Sequence, residues 1–236
     1  MSNLIAIVGE SGTGKSTSIM NPIEGMIGLD PKETFIFNVM GKPLPFRGAM
    51  KHYNPDKMPS DGGNYFETLD YKTMYEILTY INTSRPDIKN IVLDDSQYTI
   101  ANEFMEKANK AGFQKFTEMA SHYYKLLMLA KDMRRDINFF VLTHPEYDEK
   151  RQSYQAKTAG KLLAEKINIL GLFSIALFTE VKTMGGKTEY NFITNTKVDN
   201  LGNTVPAKSP PGMFEELLIP NDLGLVVQKV HAYYNE

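Results

Sequence analysis

A glycine-rich segment near the start of the chain restricts the possible folds more than any other feature. The apolar stretch 5–8 runs into Gly9-Glu10-Ser11-Gly12-Thr13-Gly14-Lys15-Ser16, which has the G-x-x-x-x-G-K-S spacing of a phosphate-binding loop. Glycines let successive backbone N–H groups turn toward an anion, where a Cβ would obstruct it. The alternative is a glycine-rich turn that binds nothing. The predicted cofactor-binding residues are Gly9, Glu10, Ser11, Gly12, Thr13, Gly14, Lys15, Ser16 and Thr17.

Two side chains of this loop are expected to act on the nucleotide directly. We expect Lys15 to contact the β- and γ-phosphates of ATP and to serve in catalysis, and Ser16 to bind Mg²⁺. A helix starting near Lys15 would direct its positive dipole end at the same charge.

The composition fits one folded domain and argues against several other classes of protein. With 236 residues, 42% of them hydrophobic and 23% charged, the chain can bury the core of a single domain spanning residues 1–236. It has no cysteine and four scattered histidines, so Mg²⁺ carried by ATP is the expected metal. A formal charge of −2 argues against a generally basic nucleic-acid surface. With no apolar run of membrane-spanning length and no signal peptide, we expect a cytoplasmic protein without a membrane partner.

Apolar runs and helical periodicity alternate along the chain. This order predicts an α/β fold with a mostly parallel sheet, helices on both faces, and an antiparallel C-terminal hairpin at Gly185-Gly186. A long excursion over 41–63 and a loop over 195–212 interrupt it. The predicted strands are 5–8, 34–39, 90–95, 137–144, 172–181 and 188–194, and the predicted helices are 71–81, 98–110, 116–135, 159–170 and a closing helix that follows Asp222.

A pair of acids ends the strand that begins at Asn90. Apolar residues followed by Asp94 and Asp95 are typical of a Walker B strand, in which one carboxylate holds Mg²⁺ and a second polarises the attacking water. We assign Asp94 to the metal and Asp95 to the water, with the reverse assignment open. The alternative is a strand-end pair that caps the next helix.

His144 follows the next apolar strand, at the sheet edge where a γ-phosphate would lie. A polar residue at that point can sense the γ-phosphate and pass its presence to the following loop, so His144 is the predicted sensor. The alternative is an exposed histidine that happens to precede Pro145.

Two groups of cations are candidate contacts for a single strand of nucleic acid. Tyrosines interleaved with cations suit base stacking and phosphate contact, although such runs are more often solvated loops or outward helix faces. We expect Lys131, Arg134 and Arg135 to be structural, because cations are favourable at a helix C-terminus. The candidate nucleic-acid residues are Tyr147, Lys150, Arg151, Tyr154, Lys157 and Lys161, together with Lys107, Lys110 and Lys115.

Lys208 lies in a proline-restricted loop, Pro206-Ala207-Lys208-Ser209-Pro210-Pro211. A rigid loop that presents one cation can act as a catalytic finger in a neighbouring subunit. The alternative is an ordinary exposed lysine.

With these residues in place, the chain resembles the phage-encoded RecA-like, AAA-type ATPases, the group that includes single-strand annealing ATPases. The resemblance is carried by GESGTGKST (9–17), TFIFNVMGKPLPFRG (34–48), IVLDDSQYTIANEFM (91–105), VLTHPE (141–146) and AKSPPGMF (207–214). It implies a RecA-like fold, and it implies DNA-binding loops after the Walker B helix and after the sensor strand, where the two cation groups lie. RecA-type recombinases carry a catalytic glutamate at the end of the second strand, whereas this strand ends Phe37-Asn38-Val39. We also expect no N-terminal oligomerisation domain.

These observations favour an ATP-binding and ATP-hydrolysing phage factor for DNA recombination or single-strand annealing, acting on single-stranded DNA in the host cytoplasm. We expect a homo-oligomer, with a phage single-strand-binding or replication protein as a further partner. One alternative is a nucleotide-switched scaffold that binds a phage replication or packaging protein. The other is a small-molecule or nucleotide kinase, which the scarcity of arginine disfavours.

Overall fold

The computed structural model describes residues 1–20, 25–112, 114–157 and 168–234, which form an eight-stranded and a four-stranded sheet. The strands are β1 (Asn3–Val8), β2 (Thr34–Asn38), β3 (Tyr65–Glu67), β4 (Asn90–Asp94), β5 (Asn138–Thr143), β6 (Pro145–Asp148), β7 (Ser153–Ala156), β8 (Ile175–Met184), β9 (Lys187–Ile193), β10 (Lys197–Val198), β11 (Thr204–Val205) and β12 (Leu218–Pro220). The helices are α1 (Ala49–His52), α2 (Tyr71–Ser84), α3 (Gln97–Glu106), α4 (Gln114–Asp132) and α5 (Leu223–Tyr234), and 3-10 helices cover Ser16–Ile19, Pro59–Asp61 and Ile169–Leu172.

The large sheet has the order β12-β9-β8-β1-β5-β4-β2-β3. The strands from β8 to β3 run parallel, while β9 and β12 are antiparallel to their neighbours. The predicted α/β fold, with a mostly parallel sheet and an antiparallel C-terminal hairpin, is confirmed. Because β5 lies between β1 and β4, the loops that follow all three strands meet at one edge of the sheet.

Both faces of the sheet are covered, and the alternation of side chains along β1 shows how. Leu4, Ala6 and Val8 face a core shared with α2, α3 and α4, whereas Ile5 and Ile7 face a second core shared with α5. Each fully buried Leu, Ile or Val side chain contributes about 1.5–3 kcal/mol to folding. The sheet is thereby a rigid platform whose carboxyl edge holds its loops in fixed positions.

The helix predicted over 71–81 shows how local signals set element boundaries. Asp70 accepts hydrogen bonds from the amides of Lys72 and Thr73 at the start of α2, and the helix ends at Ser84 before Arg85-Pro86. None of the helices in the described ranges combines the length and the apolar character needed to cross a membrane.

Three segments predicted to be irregular contain regular structure. The polar segment after His144 is the hairpin β6–β7, and two strands of the 195–212 loop, β10 and β11, complete its small sheet. The excursion over 41–63 contains α1 and a 3-10 helix and leads into β3. These short strands carry mostly polar side chains without clear alternation, and only a few of their residues, among them Tyr154, Ala156 and Val205, pack against the core.

The elements around the phosphate loop and near residue 172 also differ from expectation. In place of a helix from Lys15, the described residues hold one 3-10 turn, Ser16–Ile19, after which Met20 is extended. The helix-dipole contribution expected there has no support in the described residues. The strand predicted from residue 172 begins at Ile175, because Ile169–Leu172 form a 3-10 turn. Of the helix predicted over 159–170, residues 159–167 lie outside the described residues, and only 168–170 are described.

Candidate nucleotide-binding site

The phosphate loop leaves β1 at Val8 and is held from both sides. The amide of Gly9 donates to the carbonyl of Thr143 on β5 (3.1 Å), and Thr179 on β8 donates its hydroxyl to Thr13 (2.8 Å). A Cβ on Gly9 would lie 2.0 Å from the Thr179 hydroxyl oxygen. Gly14 has a φ of +89°, which disfavours any other residue. The glycines thus allow a tight loop wedged between two strands.

Lys15 is directed into the loop. Its Nζ donates to the carbonyl oxygens of Gly9 (2.8 Å) and Glu10 (2.9 Å), and the residue is buried. Burial lowers the pKa of Lys15, against the opposing effect of Asp95 and Asp94. Among the described residues, the hydrogen bonds of this buried ammonium go to neutral carbonyls, so it gains strongly from an anion and phosphate is a fitting ligand.

Ser16 and Asp94 join the phosphate loop to the Walker B strand. Ser16 Oγ donates to Asp94 Oδ1 at 2.9 Å, and Asp94 is buried. Burial raises the pKa of Asp94 to about 6, and the neighbouring Asp95 adds to the rise. A buried carboxylate next to a hydroxyl oxygen suits Mg²⁺, which takes hard oxygen ligands and is usually held by one or two carboxylates plus phosphates and water. The two residues therefore fit the metal predicted for them.

Asp95 adopts a left-handed conformation (φ 62°), which turns its carboxylate toward the pocket. Its Oδ2 lies 2.9 Å from Lys42 Nζ and its Oδ1 lies 3.5 Å from His144 Nε2. Burial acts to raise the pKa of Asp95, but the hydrogen bond and the charge of Lys42 outweigh it, so the pKa is lowered. Asp95 is thus ionised at neutral pH, an acceptor for hydrogen bonds and a weak base.

His144 directly follows β5 and lies in the same pocket. Its Nδ1 is 3.9 Å from Glu10 Oε2, and its ring meets Tyr98 edge-on at 6.4 Å between centroids. Burial and the charge of Lys15 lower the pKa of His144, so the imidazole is neutral at pH 7 and its contacts with Glu10 and Asp95 are long polar contacts rather than ion pairs. The predicted sensor and the predicted water-orienting acid are therefore neighbours.

A pocket of about 660 Å³ contains these groups together with several that sequence reasoning did not single out. β9 and β12 come to lie beside the phosphate loop only through the tertiary structure. No local sequence pattern therefore indicates the residues that these strands contribute to the pocket. Lys42 was detectable, because it follows the carboxyl end of β2, where ligands of such sheets bind. The additional residues are Met26, Asn38, Lys42, Pro43, Leu44, Pro45, Tyr98, Tyr190, Pro220 and Asn221.

The first group of candidate nucleic-acid residues lies on the β6–β7 hairpin. Tyr147 and Tyr154 are paired across the strands, with ring centroids 5.4 Å apart, and Tyr154 packs partly against the core. Lys150 and Arg151 occupy the turn, where Asp148 accepts from both backbone amides. Lys157 is exposed at the end of the hairpin, and Lys161 lies outside the described residues.

The second group, on α3 and α4, is largely occupied by internal contacts. Lys107 donates to Glu103 (2.6 Å) and Glu118 (3.2 Å), and Lys115 donates to the backbone carbonyls of Lys107 and Ala108. Lys110 is exposed. Two of the three lysines would have to give up these partners to bind DNA.

Lys208 and Arg134 belong to neither of these two groups. Lys208 forms a backbone bridge with Ala176 of β8, is half-buried, and is not among the residues that line the pocket. Burial lowers the pKa of Lys208. Arg134 donates to the carbonyls of Ile81, Asn82, Arg85 and Ile88, which makes it the structural residue predicted.

Comparisons with known proteins give likenesses of fold. No protein-family model and no curated protein matches the chain. Among solved structures, the chain is similar to the flagellar accessory protein FlaH from Methanocaldococcus jannaschii, with 17% identity and a TM-score of 0.41 over 80% of this chain and 76% of that one. It is also similar to the KaiC-like protein PH0186 from Pyrococcus horikoshii OT3, with 11% identity and a TM-score of 0.47 over 86% and 88%. The chemistry of the site rests on the contacts described above.

Proposed function

We propose that the chain binds ATP with Mg²⁺ and hydrolyses it, and that it is a phage-encoded RecA-like ATPase acting on single-stranded DNA in recombination or strand annealing. The observation that carries the nucleotide part is the hydrogen bond from Ser16 to the buried Asp94. It joins two motifs 78 residues apart at the edge where Lys15 also lies.

Four residues of the pocket have a role in this reaction. Lys15 binds phosphate oxygens, and Ser16 and Asp94 would hold Mg²⁺, which neutralises charge on the phosphates when bound. The oxygen of a water forms a bond to the γ-phosphorus while the bond to the bridging oxygen breaks and its electron pair stays on ADP. Because its pKa is lowered, Asp95 orients that water by accepting a hydrogen bond, and the proton ends on the released phosphate.

The C-terminal strands supply a place for the base. The ring of Tyr190 lies beside Gly14, with its Cδ1 3.2 Å from where a Cβ would stand, and is 46% exposed. Asn221 contacts the same loop, and its Oδ1 has no hydrogen-bond partner among the described residues. An aromatic face beside an unused acceptor suits a nucleoside, which stacks and donates hydrogen bonds.

The DNA part of the proposal is supported by the β6–β7 hairpin. It begins one residue after His144, and it carries an exposed Tyr147 together with the cations Lys150 and Arg151 at its turn. A change at the phosphate edge has a direct path to a surface that suits stacking and phosphate contact.

One experiment tests both parts. ATP hydrolysis and the binding of a fluorescent ATP analogue are measured with Mg²⁺, without DNA, with single-stranded DNA and with duplex DNA. We expect Mg²⁺-dependent binding that Lys15→Ala abolishes in a folded protein, and turnover stimulated by the single strand. Nucleotide binding that survives Lys15→Ala would reject the site, whereas ATP binding without any DNA effect would reject the DNA part alone.

The engagement of Lys107 and Lys115 favours a second candidate, a nucleotide-switched scaffold for a phage replication or packaging protein. Cations used up in internal ion pairs and helix-end contacts leave less charge for phosphates. This candidate predicts normal ATP binding together with no affinity for single-stranded DNA in the presence of ATP, ADP or neither.

A further inference from the structure

Lys42 is a second lysine in the pocket, and no motif accounts for it. Its Nζ lies 2.9 Å from Asp95 Oδ2 and 5.3 Å from the centre of the Tyr98 ring. It lines the same pocket as Lys15 and Ser16 but comes from the loop that follows β2, whereas they follow β1, and β5 and β4 lie between these two strands. The pocket therefore holds two lysines that are carried by different loops.

The backbone of Lys42 is fixed by a buried chain of polar groups. Asn38 Nδ2 donates to the carbonyl oxygen of Lys42 (2.6 Å) and to the hydroxyl of Tyr65 (2.6 Å), which in turn donates to Glu67 (2.7 Å). Burial raises the pKa of Tyr65, so the hydroxyl remains a donor. Asn38 is the last residue of β2, and here it positions a lysine.

The head of Lys42, in contrast, is weakly held. Its side chain is 58% exposed, so water competes with Asp95 for the ammonium. The oxygens of a transferring phosphoryl group carry more negative charge than the single carboxylate of Asp95, so they are the stronger partner for an ammonium. Because the backbone of Lys42 is fixed and its ammonium is exposed, the ammonium can move from one anion to another.

We propose that Lys42 reads the γ-phosphate in cis: with ADP its ammonium pairs with Asp95, and with ATP it moves to the γ-phosphate and leaves Asp95 to orient water. This inference rests on the proposed nucleotide binding and adds to it a residue that distinguishes ATP from ADP. Asp95 then has two states, and the change between them also alters the charge beside His144, 3.5 Å away.

The test compares affinities for a non-hydrolysable ATP analogue and for ADP, both with Mg²⁺, in wild type and variants. Lys42→Ala is expected to weaken binding of the ATP analogue about tenfold, as for loss of one charge-assisted hydrogen bond, and to leave ADP affinity unchanged. Lys42→Arg keeps the charge and is expected to keep the preference for the triphosphate. Lys51→Ala, an exposed lysine of the same excursion on α1, is the matched control.

The outcomes separate this inference from the function on which it rests. Unchanged discrimination in Lys42→Ala, with binding still dependent on Lys15, overturns the role of Lys42 and leaves the nucleotide site intact. Equal weakening of ADP and ATP analogue also overturns it, because that result marks a structural role. Failure of the wild type to bind either nucleotide overturns the proposed function and this inference together.

Discussion

The side-chain amide of Asn221 donates to the backbone carbonyl of Thr13 at 3.2 Å, and this bond ties the last strand of the sheet to the phosphate loop across 208 residues. Its neighbour Asp222 accepts hydrogen bonds from the amides of Ile27 and Gly28. The C-terminal segment therefore contacts the chain after β1 at two places, Thr13 and residues 27–28. The phosphate loop thus depends on residues at the other end of the chain.

From this contact we predict that Asn221→Ala weakens ATP affinity about three- to tenfold with little change in thermal stability. The reason is that one hydrogen bond of about 1 kcal/mol is lost from the loop together with a nucleoside contact. Isothermal titration with ATP and with inorganic triphosphate measures the effect. Equal losses for both ligands would limit the role of Asn221 to the loop, and no loss for either would contradict the prediction.

The buried Asp94 gives a prediction on stability and pH. Its pKa is about 6 when folded and lower when unfolded, so the unfolded chain loses this proton first and the folded state is destabilised as pH rises through that range. Above about pH 6 the buried charge of Asp94 lowers the free energy of unfolding by about 3 kcal/mol. We expect Asp94→Asn to raise the free energy of unfolding by up to that amount at about pH 8, and by about half of it at about pH 5.

Urea unfolding with EDTA, without nucleotide, measures this difference. Asparagine keeps an oxygen that can accept from Ser16, so the comparison isolates the charge. Addition of Mg²⁺ and ATP is expected to stabilise the wild type and not the variant. An Asp94→Asn variant less stable than wild type at both pH values would show that the carboxylate stabilises the fold.

Asp95 is expected to affect turnover rather than binding. Asp95→Asn preserves shape but makes a poorer acceptor for a water proton, so kcat is expected to fall by about 10²–10⁴ with Mg²⁺-dependent ATP binding retained. Single-turnover hydrolysis and equilibrium binding separate the two quantities. If Asp95→Asn loses ATP binding and keeps turnover of the ATP that is bound, the roles of Asp94 and Asp95 are reversed.

His144 and the hairpin lead to a prediction on coupling. His144→Ala is expected to leave ATP binding and basal DNA binding intact while removing the effect of one on the other, because the imidazole lies 3.5 Å from Asp95 and β6 begins at the next residue. Anisotropy of a labelled single-stranded oligonucleotide with no nucleotide, ADP or an ATP analogue measures this. DNA affinity that ignores nucleotide in the wild type would reject the sensor.

The cations of the hairpin are tested by salt dependence. Replacing Lys150, Arg151 and Lys157 by alanine is expected to lower the slope of log affinity against log salt by about 2, since each phosphate contact to a single strand contributes about 0.7. Alanine at the exposed Lys32, Lys51 and Lys72 is the control for net charge alone. Equal effects of the two triple variants would show that the hairpin has no special contact with DNA.

The part of the site that neighbouring residues form was predictable from the sequence. The part that the tertiary structure brings together was not. Gly9–Ser16 and Asp94 are fixed by short motifs, because backbone conformation and strand ends need only neighbouring residues. Tyr190 and Asn221 reach the pocket through strand order, which no window of the sequence contains. The spacing of Glu103 and Lys107, four residues apart on a helix, was a readable sign that this lysine has an internal partner.

The hairpin that follows His144 is closed at its base, since the amide of Lys157 donates to the carbonyl of His144 itself at 2.7 Å. The chain enters and leaves the hairpin at nearly the same point, and β6 and β7 are not part of the large sheet, which carries the phosphate loop. Segments attached in this way tolerate replacement and changes of length. The exposed residues of the hairpin, unlike Tyr154 and Ala156, which pack against the core, can therefore change in evolution to fit a new macromolecular target while the ATP site stays as it is.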